Sequence, residues 1–112
     1  MRIRMTVEDC VAQHIHNSAD NSKYVEGGSP ARLVYRALSR KIGPDRKVVI
    51  TTRDELEVIR DELVGEIGAC QEMLGQGCGD PSEDRDLRLG IVRMERSADR
   101  CERILSGRLE EA

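Results

Sequence analysis

CVAQHIH, Cys10 to His16, is the one stretch in which sulfur and imidazole ligands gather. Cys10 and His14 stand one helical turn apart and point the same way on a helix, and thiolate with imidazole is a zinc pairing. A structural zinc site needs four ligands, however, and no CxxC or HxxxH accompanies these. His16 faces away if the helix continues. No metal is therefore expected; Cys10, His14 and His16 are the only candidate ligands and read as ordinary, partly buried side chains. Catalytic chemistry fares no better. The glycines of GGSP and GQGCGD match neither GxxxxGK[ST] nor GxGxxG and are explained by turns. No Ser or Cys nucleophile comes with a base and an orienting group. Neither an enzyme nor a cofactor is expected.

These residues must be positioned by elements that the punctuation of the chain describes well. MRIRM alternates apolar and basic residues and predicts a strand over 1–5. Thr6 then offers a cap for a helix from about Val7 to Ile15 or a little beyond, and a polar loop is expected over 17–29. A second helix opens at Ser29-Pro30 and closes at Gly43-Pro44. On it Arg32, Arg36 and Arg40 share one face, while Leu33, Val34, Ala37, Leu38 and Ile42 ask for burial. RKVVIT predicts a second strand over 46–51, able to pair with the first. Thr52 and Glu55 then form a capping box.

Beyond it, Leu56, Ile59, Leu63, Ile67, Cys70 and Leu74 recur at spacings of three and four. After a glycine-rich turn, Asp80, Pro81 and Glu83 open another helix, on which Leu87, Ile91, Met94, Ala98, Cys101, Leu105 and Leu109 repeat the pattern. Two such stripes joined by a short loop predict a long antiparallel helical hairpin, about 53–75 and 81–108. The fold class is mainly α, a single domain over 1–112 with an α/β portion over 1–50 and the hairpin over 51–109. Val58, Gly65, Gly68, Leu89 and Val92 fall on the far sides of the stripes, where another helix could approach closely.

Charge is segregated. Residues 29–53 carry seven basic residues against one acid, a formal +6, whereas residues 54–112 carry sixteen acids against eight arginines, a formal -8. Asp54, Glu57, Asp61 and Glu72 cluster on one face of the acidic helix and Glu55, Glu62 and Glu66 on another, an acidic rod suited to a basic groove on a partner protein, with Asp54, Glu57, Asp61, Glu62 and Glu66 as the candidate contacts. Arg32, Arg36, Arg40 and Lys41 are the candidates for facing phosphate. Structurally, the same basic helix is neutralised if it packs near the acidic hairpin.

With no Phe or Trp and 2% aromatic residues, the interior rests on aliphatic side chains, and a homodimer is expected to supply further buried area. Mean hydropathy is -0.51, and no apolar run approaches the ~20 residues of a membrane span. MRIRMTVEDC lacks the apolar core of a signal peptide, so a cytoplasmic protein with reduced cysteines is expected.

The sequence KVVITTRDELEVIRDEL followed by DPSEDRDLRLGIVRMERSADRCERIL resembles small accessory proteins of phages and other mobile elements, among them anti-CRISPR and other anti-defence inhibitors. The likeness covers about half the chain, is architectural and carries over no site residue. It implies a stoichiometric inhibitor or regulator that binds a host complex. The function expected is a non-enzymatic protein-interaction module; the alternatives are a nucleic-acid-binding regulator using the Arg32, Arg36, Arg40 stripe and a zinc-stabilised small enzyme or sensor around Cys10, His14 and His16.

Overall fold

The computed structural model describes residues 1–20, 30–77 and 80–107, and the side chains of these except 30–32. The elements run β1 (Ile3–Thr6), α1 (Asp9–Asp20), α2 (Pro30–Lys41), β2 (Lys47–Ile50), α3 (Arg53–Gln76) and α4 (Pro81–Leu105). The mainly helical class, the hairpin of α3 and α4, and the small antiparallel ribbon of β1 and β2 are as the sequence predicts. Ser29, Cys78, Arg108 and Leu109 lie outside the described residues.

Alternation builds the ribbon. Ile3 and Met5 point inward from β1 and Val48 and Ile50 from β2, and the register sets Ile3 opposite Ile50 and Met5 opposite Val48. One face is thus wholly apolar, and a two-stranded ribbon is stable only when such a face is covered. Pairing extends one step further, with the Val7 amide donating to the Arg46 carbonyl at 3.0 Å. That bond corrects the first helix boundary. Thr6 does not cap a helix; it belongs to β1, opposite Lys47, and Val7 is drawn into the core at 1% exposure. The helix begins at Asp9 and runs through Asn17 and Ser18 to Asp20, because Ala19 follows Ile15 by one turn onto the same buried face. Arg46, ahead of β2, sits at φ 63°, a left-handed conformation that costs a non-glycine residue about 1 kcal/mol.

Both capping boxes of the hairpin form: Thr52 with Glu55 and Asp80 with Glu83. Gly77 ends α3 at φ 63°, a left-handed C-cap that glycine adopts without the Cβ penalty. Leu56, Ile59 and Leu63 pack in one continuous core with Met94, Ala98, Cys101 and Ile104. Ile104, rather than Leu105, is the last fully buried residue of the stripe. Arg53 ties the base of the hairpin by donating to the Leu105 carbonyl at 3.1 Å, and Arg60 bridges to Glu102 at 3.2 Å.

The open side of that base is covered from within the chain. Val11, Ile15, Leu38 and Ile42 join the same core, and Val58, expected on the far side, is half-buried against it. Leu33 corrects the reading of α2, since it is 60% exposed while Leu38 carries the helix's burial. Towards the tip the cover thins, and Ile67, Cys70, Leu74 and Leu87 are only half-buried.

Candidate functional site

The acidic residues of α3 separate into two kinds. Asp54 and Asp61 are exposed, and Glu57 pairs with Arg53 at 3.4 Å one turn away. Glu62 does not join the acidic rod. It is buried at 8% exposure, because Tyr35 of α2 and His14 of α1 both close on its carboxylate. Tyr35 donates its hydroxyl to Oε1 at 2.5 Å, and the His14 Nδ1 meets Oε2. A buried carboxylate with two such partners has its polar requirement met inside the protein, so Glu62 fastens three helices together instead of facing a partner. The bond to Glu62 raises the His14 pKa above its ordinary value; partial burial opposes it, and the charges of Glu62 and Glu66 add to the rise. Burial foremost, then Glu62, drives the Tyr35 phenol upward as well.

Glu66 is half-buried beside Cys10. Burial, with the negative charge of Glu66 behind it, pushes the Cys10 thiol up to about 11, and its Sγ lies 4.0 Å from the Met94 Sδ. The helix therefore turns Cys10 and His14 towards α3, but to different partners. His16 leaves that side altogether and bonds the Ser39 hydroxyl at 2.7 Å. Among the described residues no three His, Cys, Asp or Glu side chains converge to hold a metal ion.

Lys41, a candidate for facing phosphate, straddles the Glu55 carboxylate at 3.0 Å from Oε1 and 2.8 Å from Oε2, and also donates to Thr51 at 2.8 Å. The basic helix is neutralised at this point by the acidic one. Arg36 and Arg40 line a shallow groove that also holds Asp20, and the Arg32 side chain lies outside the described ones.

One surface left open is the outward face of α4. Arg85, Leu89, Val92 and Arg96 recur at spacings of four, three and four, and with Arg88 all are exposed. Leu89 and Val92 line a shallow groove together with Pro81, Asp84, Arg85 and Arg88. The sequence places Leu89 and Val92 opposite the stripe, but the formal -8 of residues 54–112 hides the arginines around them, because charge summed along a chain does not report charge around a helix. The outward face of α3 does keep acids, Asp54, Asp61 and Glu72, with Gly65 and Gly68 between them, all exposed. No helix is long and apolar enough to cross a membrane among the described residues.

Compared with known protein families, curated proteins and solved structures, the chain matches none.

Proposed function

We propose that the chain is a non-enzymatic protein-interaction module, a small inhibitor or regulator of the anti-defence kind its hairpin resembles, docking through the outward face of α4. The reading is carried by Leu89 and Val92, 50% and 45% exposed, set among Arg85, Arg88 and Arg96. Aliphatic side chains that exclude water, ringed by guanidiniums, have the composition of a protein contact. The partner surface is then apolar and acidic. A second copy offers chemistry of that sign on α3, where Asp54, Asp61 and Glu72 surround two glycines that let a neighbour approach closely. A homodimer in which α4 of one copy meets α3 of the other, a head-to-tail contact that leaves one α4 face open for the protein partner, is the assembly this complementarity favours.

Light scattering at micromolar concentration tests the assembly, and affinity capture from native host cells tests the docking face. The wild-type chain is expected to be a dimer and to retain a protein partner; Leu89→Glu combined with Val92→Glu should be monomeric and retain none. A monomeric wild type whose captured proteins are the same as the variant's would end the proposal.

A further inference from the structure

The outward face of the ribbon is a second surface, independent of the docking face. Strand alternation turns Arg4 and Thr6 away from the core, and the register places Arg4 opposite Val49 and Thr6 opposite Lys47. All four line one open cleft of about 770 Å³, within the size range of small-molecule sites. Lys41 and Thr51 line it too, as do Ser97 and Arg100 of α4. Arg100 is held there by its own bond, Nη1 donating to the Arg4 carbonyl at 2.8 Å, which leaves most of the guanidinium's donors available.

No carboxylate is among the residues lining this cleft. Lys41 shares its charge with Glu55, but Arg4, Lys47 and Arg100 have no acidic partner among the described residues. Five arginines elsewhere are neutralised: Arg46 with Asp9, Arg53 with Glu57, Arg60 with Asp61 and Glu102, Arg93 with Glu8, and Arg103 with Asp99. Three cations without acidic partners around one concavity create a local positive potential that favours an anion there.

The geometry points to this cleft as a binding site for a small, multiply charged phosphate ester with an uncharged body of nucleotide size. Arg4, Lys47 and Arg100 hold the phosphoryl oxygens through charge-assisted bonds, the hydroxyls of Thr6 and Ser97 donate to them, and Val49 supplies apolar floor for the body. A nucleic-acid strand fits less well. It needs a continuing track of free cations and aromatic platforms for its bases; here the arginines named above are paired, and no aromatic residue lines the cleft.

Titration of the full ¹⁵N-labelled chain at low salt with inorganic pyrophosphate, ADP and oligothymidylates of increasing length tests this. Pyrophosphate and ADP should each saturate, with amide shifts confined to the cleft, ADP binding more tightly and added salt weakening both. Arg4→Gln combined with Lys47→Gln should weaken binding by at least about tenfold. Neither side chain packs in the core, so an unchanged spectrum elsewhere shows that the variant is folded. Arg85→Gln with Arg88→Gln, on the docking face, should leave affinity unchanged. The inference is overturned by no saturation at millimolar pyrophosphate and ADP, by a cleft variant that binds like wild type, or by equal loss in the docking-face variant. It is overturned equally by affinity that climbs with oligothymidylate length while shifts spread beyond the cleft, which would mark a nucleic-acid surface.

Discussion

Tyr35 donates its hydroxyl to the buried Glu62 carboxylate across 2.5 Å, so one hydrogen bond ties α2 to α3 where the N-terminal half closes over the hairpin. A hydrogen bond to a charged, buried acceptor contributes more than a neutral one, because the carboxylate has no water to turn to. Tyr35→Phe keeps the ring and removes only the donor. It should cost about 1.5–3 kcal/mol in urea unfolding. A loss below about 0.5 kcal/mol would mean that solvent replaces the phenol and that Glu62 is less enclosed than described.

His14 gives the same carboxylate a pH-dependent partner. Its bond to Glu62 raises its pKa above 6.5, against partial burial and with help from the charges of Glu62 and Glu66. A raised folded-state value means that protonated His14 contributes its full stability below about pH 6.5 and loses it as pH climbs through the folded value. The side chain is 55% exposed, so solvent screening keeps the effect under about 1 kcal/mol. Urea midpoints should fall modestly between about pH 6 and 8, and His14→Gln should remove that slope. A midpoint that rises over this interval would contradict the pairing.

Glu55 is the opposite case. Burial pushes its carboxyl up, but the Lys41 ammonium and the Thr51 amide and hydroxyl outweigh burial and hold it below 4.5. It accepts from the Thr51 and Thr52 amides at 3.0 and 3.1 Å, joining the end of β2 to the start of α3. A depressed value contributes stability above about pH 4.5 that is lost as pH falls through the folded value. Glu55→Gln should cost about 2–3 kcal/mol at pH 7 and Thr52→Ala about 1 kcal/mol. Together they should cost less than the sum, since both dismantle one capping box.

That capping box was legible in the sequence because its partners stand three residues apart; the same is true of Asp80 with Glu83 and of the stripes that zip the hairpin. Ribbon pairing was legible from alternation. What could not be read were relationships set by the tertiary fold. Helical spacing separates Glu62 from Asp61 and groups it with Glu55 and Glu66, but nothing local names its partners, which are 27 and 48 positions away. Thr6 has the chemistry of a cap, yet the Val7 amide is claimed by Arg46, and the strand wins. Arg4, Lys47 and Arg100 each resemble a solvated charge, and only the ribbon's position beside α4 brings them together. The alternation in MRIRM was the one available hint, since it already turned Arg4 outward.

Cys10 looks reactive by exposure and is not by chemistry. Burial of the thiol, reinforced by Glu66, lifts it to about 11, and the thiolate is the reacting species. Alkylation by iodoacetamide at pH 8 should run about a hundred times or more slower than for free cysteine, roughly in proportion to the thiolate lost. Glu66→Gln should restore part of the rate and leave the share due to burial. Mass spectrometry that finds Cys10 alkylated as fast as free cysteine would refute the environment described.

Gly65 and Gly68 separate the isolated chain from its assembly. On the outward face of α3, a Cβ added at either position meets nothing within 4 Å. Interior helical glycine costs about 1 kcal/mol relative to alanine through backbone entropy. Gly65→Ala and Gly68→Ala should therefore each raise the stability of the dilute, monomeric chain by about 0.5–1 kcal/mol in urea unfolding. In the α4-to-α3 dimer proposed above, the same methyls stand where a neighbour approaches, so light scattering should show self-association weakening. Destabilisation of the dilute chain would mean that this face is already covered within one copy. Stabilisation with unaltered dimerisation would instead place the second copy elsewhere.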